Sequence, residues 1–171
     1  MDRISPEQRS RTMRAIHGKN TKPEMIVRRY LYSKGFRYRV NVRTLPGTPD
    51  IVLRKYATVI FIHGCFWHGH DECNAGRTPK SNVDFWEKKI KRNKERDIEV
   101  RARLKEAGWR TMVVWECQLQ PKRREETLRD IVHLLDKTYL EIQGSNIKPT
   151  YYTGTELSIA AEDNASYNIN E

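Results

Sequence analysis

Between Ile62 and Cys73 the chain reads I-H-G-C-F-W-H-G-H-D-E-C, which gathers three of its five histidines and two of its three cysteines into one loop. Cys65, His70 and Cys73 are three soft or borderline ligands within nine residues, and the remaining cysteine, Cys117, follows a separate apolar run. Four such donors suit a tetrahedral structural zinc ion, and a polar loop with little to bury gains its anchorage from such a crosslink. The ordinary alternative is three buried thiols, but all the cysteines of the chain take part in the pattern. His63, His68, Asp71 and Glu72 are substitute ligands in the same stretch.

These groups need a frame. Thr58 to Ile62 is an apolar, β-branched run that reads as a buried strand, so the loop starts at a strand end, where functional groups collect. Asp50 to Leu53 is a second strand directly after the turn L-P-G-T-P, and this position lets the Asp50 carboxylate project from a sheet edge toward a hard cation. Phe36 to Val40 alternates apolar and basic residues as a half-exposed strand does, and Thr111 to Trp115 is a buried strand leading to Cys117. Ser5-Pro6-Glu7-Gln8 opens a short helix stopped by Gly18, and Thr21-Lys22-Pro23-Glu24 is a capping box opening a second helix that ends at Gly35. Residues 84 to 106 form the longest helical pattern, with Phe85, Trp86, Lys89, Ile90, Asn93 and Asp97 on one stripe. Leu128, Ile131, Val132 and Leu135 mark a last amphipathic helix. The predicted order is α-α-β-β-β-α-β-α.

The chain has 171 residues, enough for one domain with one hydrophobic core. Residues 1 to 140 are expected to form it, and residues 141 to 171, rich in Gly, Asn, Ser, Thr and acids, to form a flexible acidic tail. Residues 1 to 140 carry 31 basic and 17 acidic side chains, a net +14, whereas the remainder has five acids and only Lys148. Such a body attracts polyanions, because each phosphate neutralised releases condensed counterions. No apolar run approaches the ~20 residues needed to cross a bilayer, and three cysteines without an export signal point to a reducing, cytoplasmic setting and no membrane partner.

L-P-G-T-P-D at 45 to 50, V-I-F-I-H-G-C-F-W-H-G-H at 59 to 70, F-W-E-K-K-I-K-R-N at 85 to 93 with Arg96-Asp97, and V-V-W-E-C at 113 to 117 together closely resemble the very-short-patch-repair (Vsr) DNA mismatch endonucleases. The likeness runs from about Arg11 to Asp136 and excludes the tail. It implies an α/β fold with a restriction-endonuclease-like core, a central mixed sheet flanked by helices and a structural zinc site. It also implies magnesium-dependent phosphodiester hydrolysis that nicks one strand 5′ to the thymine of a T:G mismatch left by deamination of 5-methylcytosine. The partners implied are double-stranded DNA carrying that mismatch and, functionally, a cytosine-5 DNA methyltransferase. The protein is then a bacterial-type monomer, associated with the nucleoid when on DNA.

The resemblance also assigns residues. Cys65, His70, Cys73 and Cys117 hold zinc, in agreement with their spacing. Asp50 binds magnesium, and because Phe61-Ile62-His63 stands where many nucleases carry an acid and a lysine, the Ile62 backbone carbonyl and histidines replace them. His63 and His68 become the proton-transfer candidates, and Asp97 orients His68. Glu24 matches an acidic residue near the hydrated metal that positions water, although its place in a capping box explains it equally well. Phe66, Trp67 and Trp86 are wedges for the poorly stacked mismatch, with Met13 pressing from the minor groove and Lys89 and Asn93 reading base edges. The ordinary alternative for each aromatic is core packing. Lys88, Lys91, Arg92, Lys94 and Arg96 add phosphate-binding potential on the same helix. A restriction-type nuclease acting on matched duplex and a non-enzymatic zinc-containing DNA-binding module are the competing readings.

Overall fold

A computed structural model describes residues 7, 8, 11, 18–77, 79, 82–144, 150–153 and 156–159. Most of the predicted first helix, Met13 included, lies outside the described residues. Helix α1 spans Lys22–Ser33 and begins as its sequence predicts: Thr21 and Glu24 form the reciprocal capping box, with proline in the first turn. Its buried residues, Glu24, Val27, Arg28 and Leu31, recur three or four apart on one face. Gly35 ends it in a left-handed conformation, φ +85°, and Phe36 N–H donates back to Leu31 C=O at 3.0 Å.

Strands β1 (Ile51–Leu53), β2 (Thr58–His63) and β3 (Arg110–Trp115) form a mixed sheet in the order β1-β2-β3. β1 pairs antiparallel with β2, Ile51 opposite Ile60, through a 3₁₀ turn at Arg54–Tyr56. β2 pairs parallel with β3, which sets His63 opposite Trp115. A parallel neighbour requires a crossover, and α2 (Val83–Glu106) lies within the connection from β2 to β3. α3 (Arg124–Gly144) follows β3.

The central strand is covered on both faces, which explains its unbroken apolar run. Ile60 joins Ile51, Leu53 and Val114 against Val27 and Leu31 of α1 and Leu128, Ile131 and Leu135 of α3. Val59 and Phe61 point the other way and pack with Val52, Leu45, Trp109 and Val100 and Leu104 of α2. Gly47, at φ +73°, lets the turn before Asp50 lie on that helix, where an added Cβ would sit 2.5 Å from Val100 Cγ1. The α/β class and the central mixed sheet flanked by helices are therefore as expected.

Two elements differ from the sequence expectation. Phe36 to Val40 supplies a single antiparallel bridge, Arg39 with Val52, in place of a strand, because Asn41 turns left-handed at φ 49° and ends the extension. The last helix runs to Gly144, past the expected division at 140, and β4 (Thr150–Thr153) pairs antiparallel with β5 (Glu156–Ile159) beyond it. No helix among the described residues is long and apolar enough to cross a membrane.

Candidate active site and metal centre

The loop after β2 is folded by its own backbone. His68 N–H donates to Gly64 C=O at 3.2 Å and His70 N–H to Cys65 C=O at 2.9 Å. Between the two histidines, Gly69 is left-handed, φ +59°, and an added Cβ would lie 2.5 Å from both Ile90 Cγ2 and Lys94 Cε of α2. This reversal, pressed against the helix, sends two imidazoles one residue apart from each other into different clusters.

His70 joins Cys65, Cys73 and Cys117, whose ligand atoms all lie within 4.8 Å of one another. His70 Nδ1 is 3.4 Å from Cys117 Sγ. Bond lengths of ~2.0–2.3 Å to a tetrahedral ion put neighbouring donors ~3.5–3.8 Å apart, so the set fits a cation of borderline softness with little adjustment. All three cysteines are free thiols. Burial pushes the Cys65 thiol up to about 12. Desolvation opposes ionisation of Cys73 as well, but hydrogen bonds involving Cys65, His70 and the backbone of Ala75 and Gly76 bring it down to about 7. One ligand is thus close to thiolate, while the other loses its proton only when a cation compensates the burial.

His68 joins a different group. Its Nδ1 is 2.5 Å from Asp97 Oδ2, and its ring stacks on that of His63, with centroids 3.7 Å apart and planes at 10°. His63 Nδ1 is 4.0 Å from the same carboxylate oxygen, too far for a hydrogen bond. The three ligand atoms also lie within 4.8 Å of one another, so distance alone does not separate this trio from the cysteine set. Orientation does. Nearly parallel rings hold their in-plane nitrogen lone pairs side by side and not converging, which disfavours joint chelation of one ion. Because a carboxylate only accepts, His68 carries its proton on Nδ1, and Nε2 stays clear of that bond. His63 is pulled down to about 4 by burial, with His68, Arg101 and Arg96 adding to the effect and Asp97 opposing it. It therefore stays neutral at physiological pH.

Asp50 adjoins this pair through the sheet. Its Oδ2 accepts from the N–H of Ile62, the residue before His63, at 2.7 Å. Burial raises the carboxyl to about 6; Glu24 pushes in the same direction, while the Ile62 hydrogen bond and Arg28 push against it. Glu24 is buried and fully engaged: Oε2 accepts from Asn20 N–H at 3.0 Å and Arg28 at 2.8 Å, and Oε1 accepts from the Thr21 hydroxyl at 2.8 Å. Arg28, not singled out by sequence reasoning, also donates to the Asp50 backbone carbonyl at 3.1 Å. Its only sequence signal is the four-residue spacing from Glu24.

Phe66, Trp67 and Trp86 form one partly exposed cluster with ring centroids 5.0–5.9 Å apart, extended by Phe85, which is 57% exposed. They pack on one another at the surface and stand outside both cores. Lys89 Nζ lies 5.3 Å from the centre of Trp67, and Asn93 Nδ2 donates to Trp67 C=O at 2.7 Å. Along the same helix Lys88, Lys91, Arg92 and Arg96 are exposed, Lys91 lying 4.0 Å from Glu95 and Arg96 3.7 Å from Asp97, and Lys94 pairs with Asp71 at 2.9 Å.

Comparison with known proteins gives this arrangement a family. The model described as DNA mismatch endonuclease Vsr matches residues 1–75. The chain belongs to the Vsr DNA mismatch endonuclease family, as three relatives confirm over most of their own lengths. Type II nicking enzyme V.NmeAIP of Neisseria meningitidis serogroup A is 54% identical over 121 residues, covering 71% of this chain and 86% of the relative. Type II nicking enzyme V.XorIIP of Xanthomonas oryzae pv. oryzae is 50% identical over 118 residues, covering 69% and 86%. DNA mismatch endonuclease Vsr of Escherichia coli K12 is 43% identical over 116 residues, covering 68% and 74%.

Proposed function

We propose that this chain nicks one strand of double-stranded DNA at a T:G mismatch, 5′ to the thymine, by magnesium-dependent hydrolysis. The observation that carries the reading is the convergence at one strand end: the Asp50 carboxylate is bonded to Ile62 N–H, next in sequence is His63, and His63 stacks on His68, itself held by Asp97. Asp50 and the Ile62 carbonyl fit a magnesium ion that keeps most of its water, since a buried carboxyl that resists ionisation is relieved by a hard cation. That ion, when bound, supplies charge neutralisation at the scissile phosphate and an acidified water. His68 moves the proton at Nε2, with Asp97 fixing the ring. His63, neutral and buried beside it, offers a hydrogen-bond acceptor. Glu24 buttresses this corner through Arg28, and its water-positioning role requires it to exchange one of the hydrogen bonds described above.

Cys65, His70, Cys73 and Cys117 hold zinc, which fixes the loop to the start of the turn after β3. Phe66, Trp67 and Trp86 wedge the mismatch, Lys89 and Asn93 contact base edges, and the exposed cations of α2 hold phosphates. Met13 is the proposed wedge from the other groove. A wobble pair stacks poorly, so inserting rings beside it costs less than at a matched pair, and that difference becomes specificity.

Labelled duplexes, matched or bearing T:G, incubated with and without magnesium test the proposal. Magnesium-dependent nicking of one strand at T:G is the expected result. Double-strand cutting of matched duplex would make this a restriction-type nuclease, and binding without cleavage would make it a DNA-binding module. Affinity should fall steeply with added salt if the α2 cations hold phosphates.

A further inference from the structure

The two clusters that share the loop are joined by a ring that belongs to neither. Trp115, at the end of β3, lies flat on His70, with centroids 4.2 Å apart and planes at 7°, and meets His63 in a T-shaped contact at 5.3 Å and 75°. His63 in turn stacks on His68. The result is a continuous run of four rings, His70–Trp115–His63–His68, from the cysteine cluster to Asp97. The sheet supports it, since Trp115 and His63 are partners in the parallel register. Trp115 itself is held by its backbone N–H, which donates to Gln118 Oε1 at 2.9 Å.

His63 needs such support. His68 has the Asp97 carboxylate to fix its ring, but that carboxylate is 4.0 Å from His63 Nδ1. Ring contacts therefore set the His63 orientation: His68 stacked on it, Trp115 perpendicular to it, and Phe61 at 5.9 Å. Of these, Trp115 is the one tied to the metal-ligand set. Edge-to-face aromatic contacts have directional preferences, so a flat indole pinned by His70 restricts the angle at which His63 packs.

We infer that Trp115 is a positioning residue that transmits the geometry of the cysteine–histidine metal cluster to the His63–His68 pair. The inference rests on the proposed zinc and proton-transfer roles of the two clusters. It predicts that disturbing the metal cluster moves His63 without opening the fold, and that an aromatic ring at position 115 is what carries the disturbance.

The test uses protein carrying ¹³C-labelled histidine, with the bound metal exchanged from zinc to the larger cadmium ion, and reads the histidine ring signals. In the unmodified chain the His70 and His63 signals should both move, and His133 on α3 should not. Trp115→Phe should keep the His63 response, whereas Trp115→Leu should lose it while still binding one metal per chain. Nicking at saturating mismatched duplex should follow: Trp115→Leu slower on the order of 10-fold with KM unchanged and an altered pH profile, Trp115→Phe within about 3-fold with the pH profile of the unmodified chain. If Trp115→Leu fails to fold, the metal exchange in the unmodified chain and in Trp115→Phe decides alone. Signals of His63 that ignore the exchange while those of His70 respond would overturn the role of Trp115 and leave the zinc reading intact. A protein that binds no zinc would instead overturn the zinc reading on which it stands.

Discussion

The cysteine cluster and the histidine pair use similar groups at similar distances, yet their geometry suits different work. In both, the candidate ligand atoms lie within 4.8 Å of one another. Around Cys65 the donors are thiols and one imidazole from both ends of a loop and from the turn after β3, able to surround an ion. Around Asp97 the two imidazoles are stacked, with planes at 10°, and one is already hydrogen bonded. Proximity therefore does not distinguish a candidate chelating site from a candidate proton-transfer site. Ring orientation and donor softness do.

Removing one member of each cluster should expose the difference. Cys117→Ser is expected to have the largest effect: metal content falls from one zinc per chain to none, and urea unfolding shows a loss of at least ~3 kcal/mol because the loop loses its anchor. Zinc retained at full occupancy would remove Cys117 from the ligand set. Asp97→Asn should leave zinc content unchanged and slow nicking by about 10²–10⁴, the range of a lost proton-transfer device. A zinc loss in that variant would instead merge the two clusters into one.

Asp50 sharpens the comparison from a third side. Its carboxyl titrates at about 6 folded, against an ordinary value of 3.8, so between these values the folded chain holds a proton that the unfolded chain releases. Stability without magnesium therefore falls as pH rises from about 4 to 6 and stays reduced above it. Asp50→Asn, which keeps an acceptor for Ile62 N–H, should abolish nicking yet stabilise the magnesium-free protein at pH 7 by about 2–3 kcal/mol, with the gain vanishing below pH 4. Urea unfolding across pH, without chelator so that zinc stays bound, checks this; equal stability at pH 7 would count against a strained carboxyl. The smallest effect is expected at Asn93→Ala, which frees the Trp67 carbonyl. It should cost about 1 kcal/mol in stability, while any larger loss of discrimination between T:G and matched duplex in a binding assay would mark a contact with the bases.

The sequence showed the metal cluster more clearly than the histidine pair, for a physical reason. Ligand spacing in a short loop, together with the use of every cysteine, survives as a pattern in one dimension. The His63–His68 stack does not, because it depends on the turn that His68 N–H closes onto Gly64 C=O and on Asp97 arriving from a helix 29 residues away. Arg28 and Trp115 escaped for the same reason: each acts through partners distant in sequence. Helix starts were legible where local hydrogen bonds specify them, as at Thr21 and Glu24, and strands where burial enforces an apolar run, as at Thr58 to His63. Phe36 to Val40 misled because alternation describes a half-buried ribbon but says nothing of whether a neighbour stays alongside. Asn41 breaks that company after one bridge.

The left-handed turn at Gly69 acts as a sorting rule. Two chemically identical side chains flank it, and nothing in an imidazole says whether it should capture an ion or carry a proton. By inverting the backbone for a single residue and wedging that residue against Ile90, the chain gives each imidazole a destination before any metal or substrate arrives. On the proposed assignment of zinc to His70 and proton transfer to His68, a substitution that unwinds Gly69 would let the two histidines compete for one ion with no ligand having been lost.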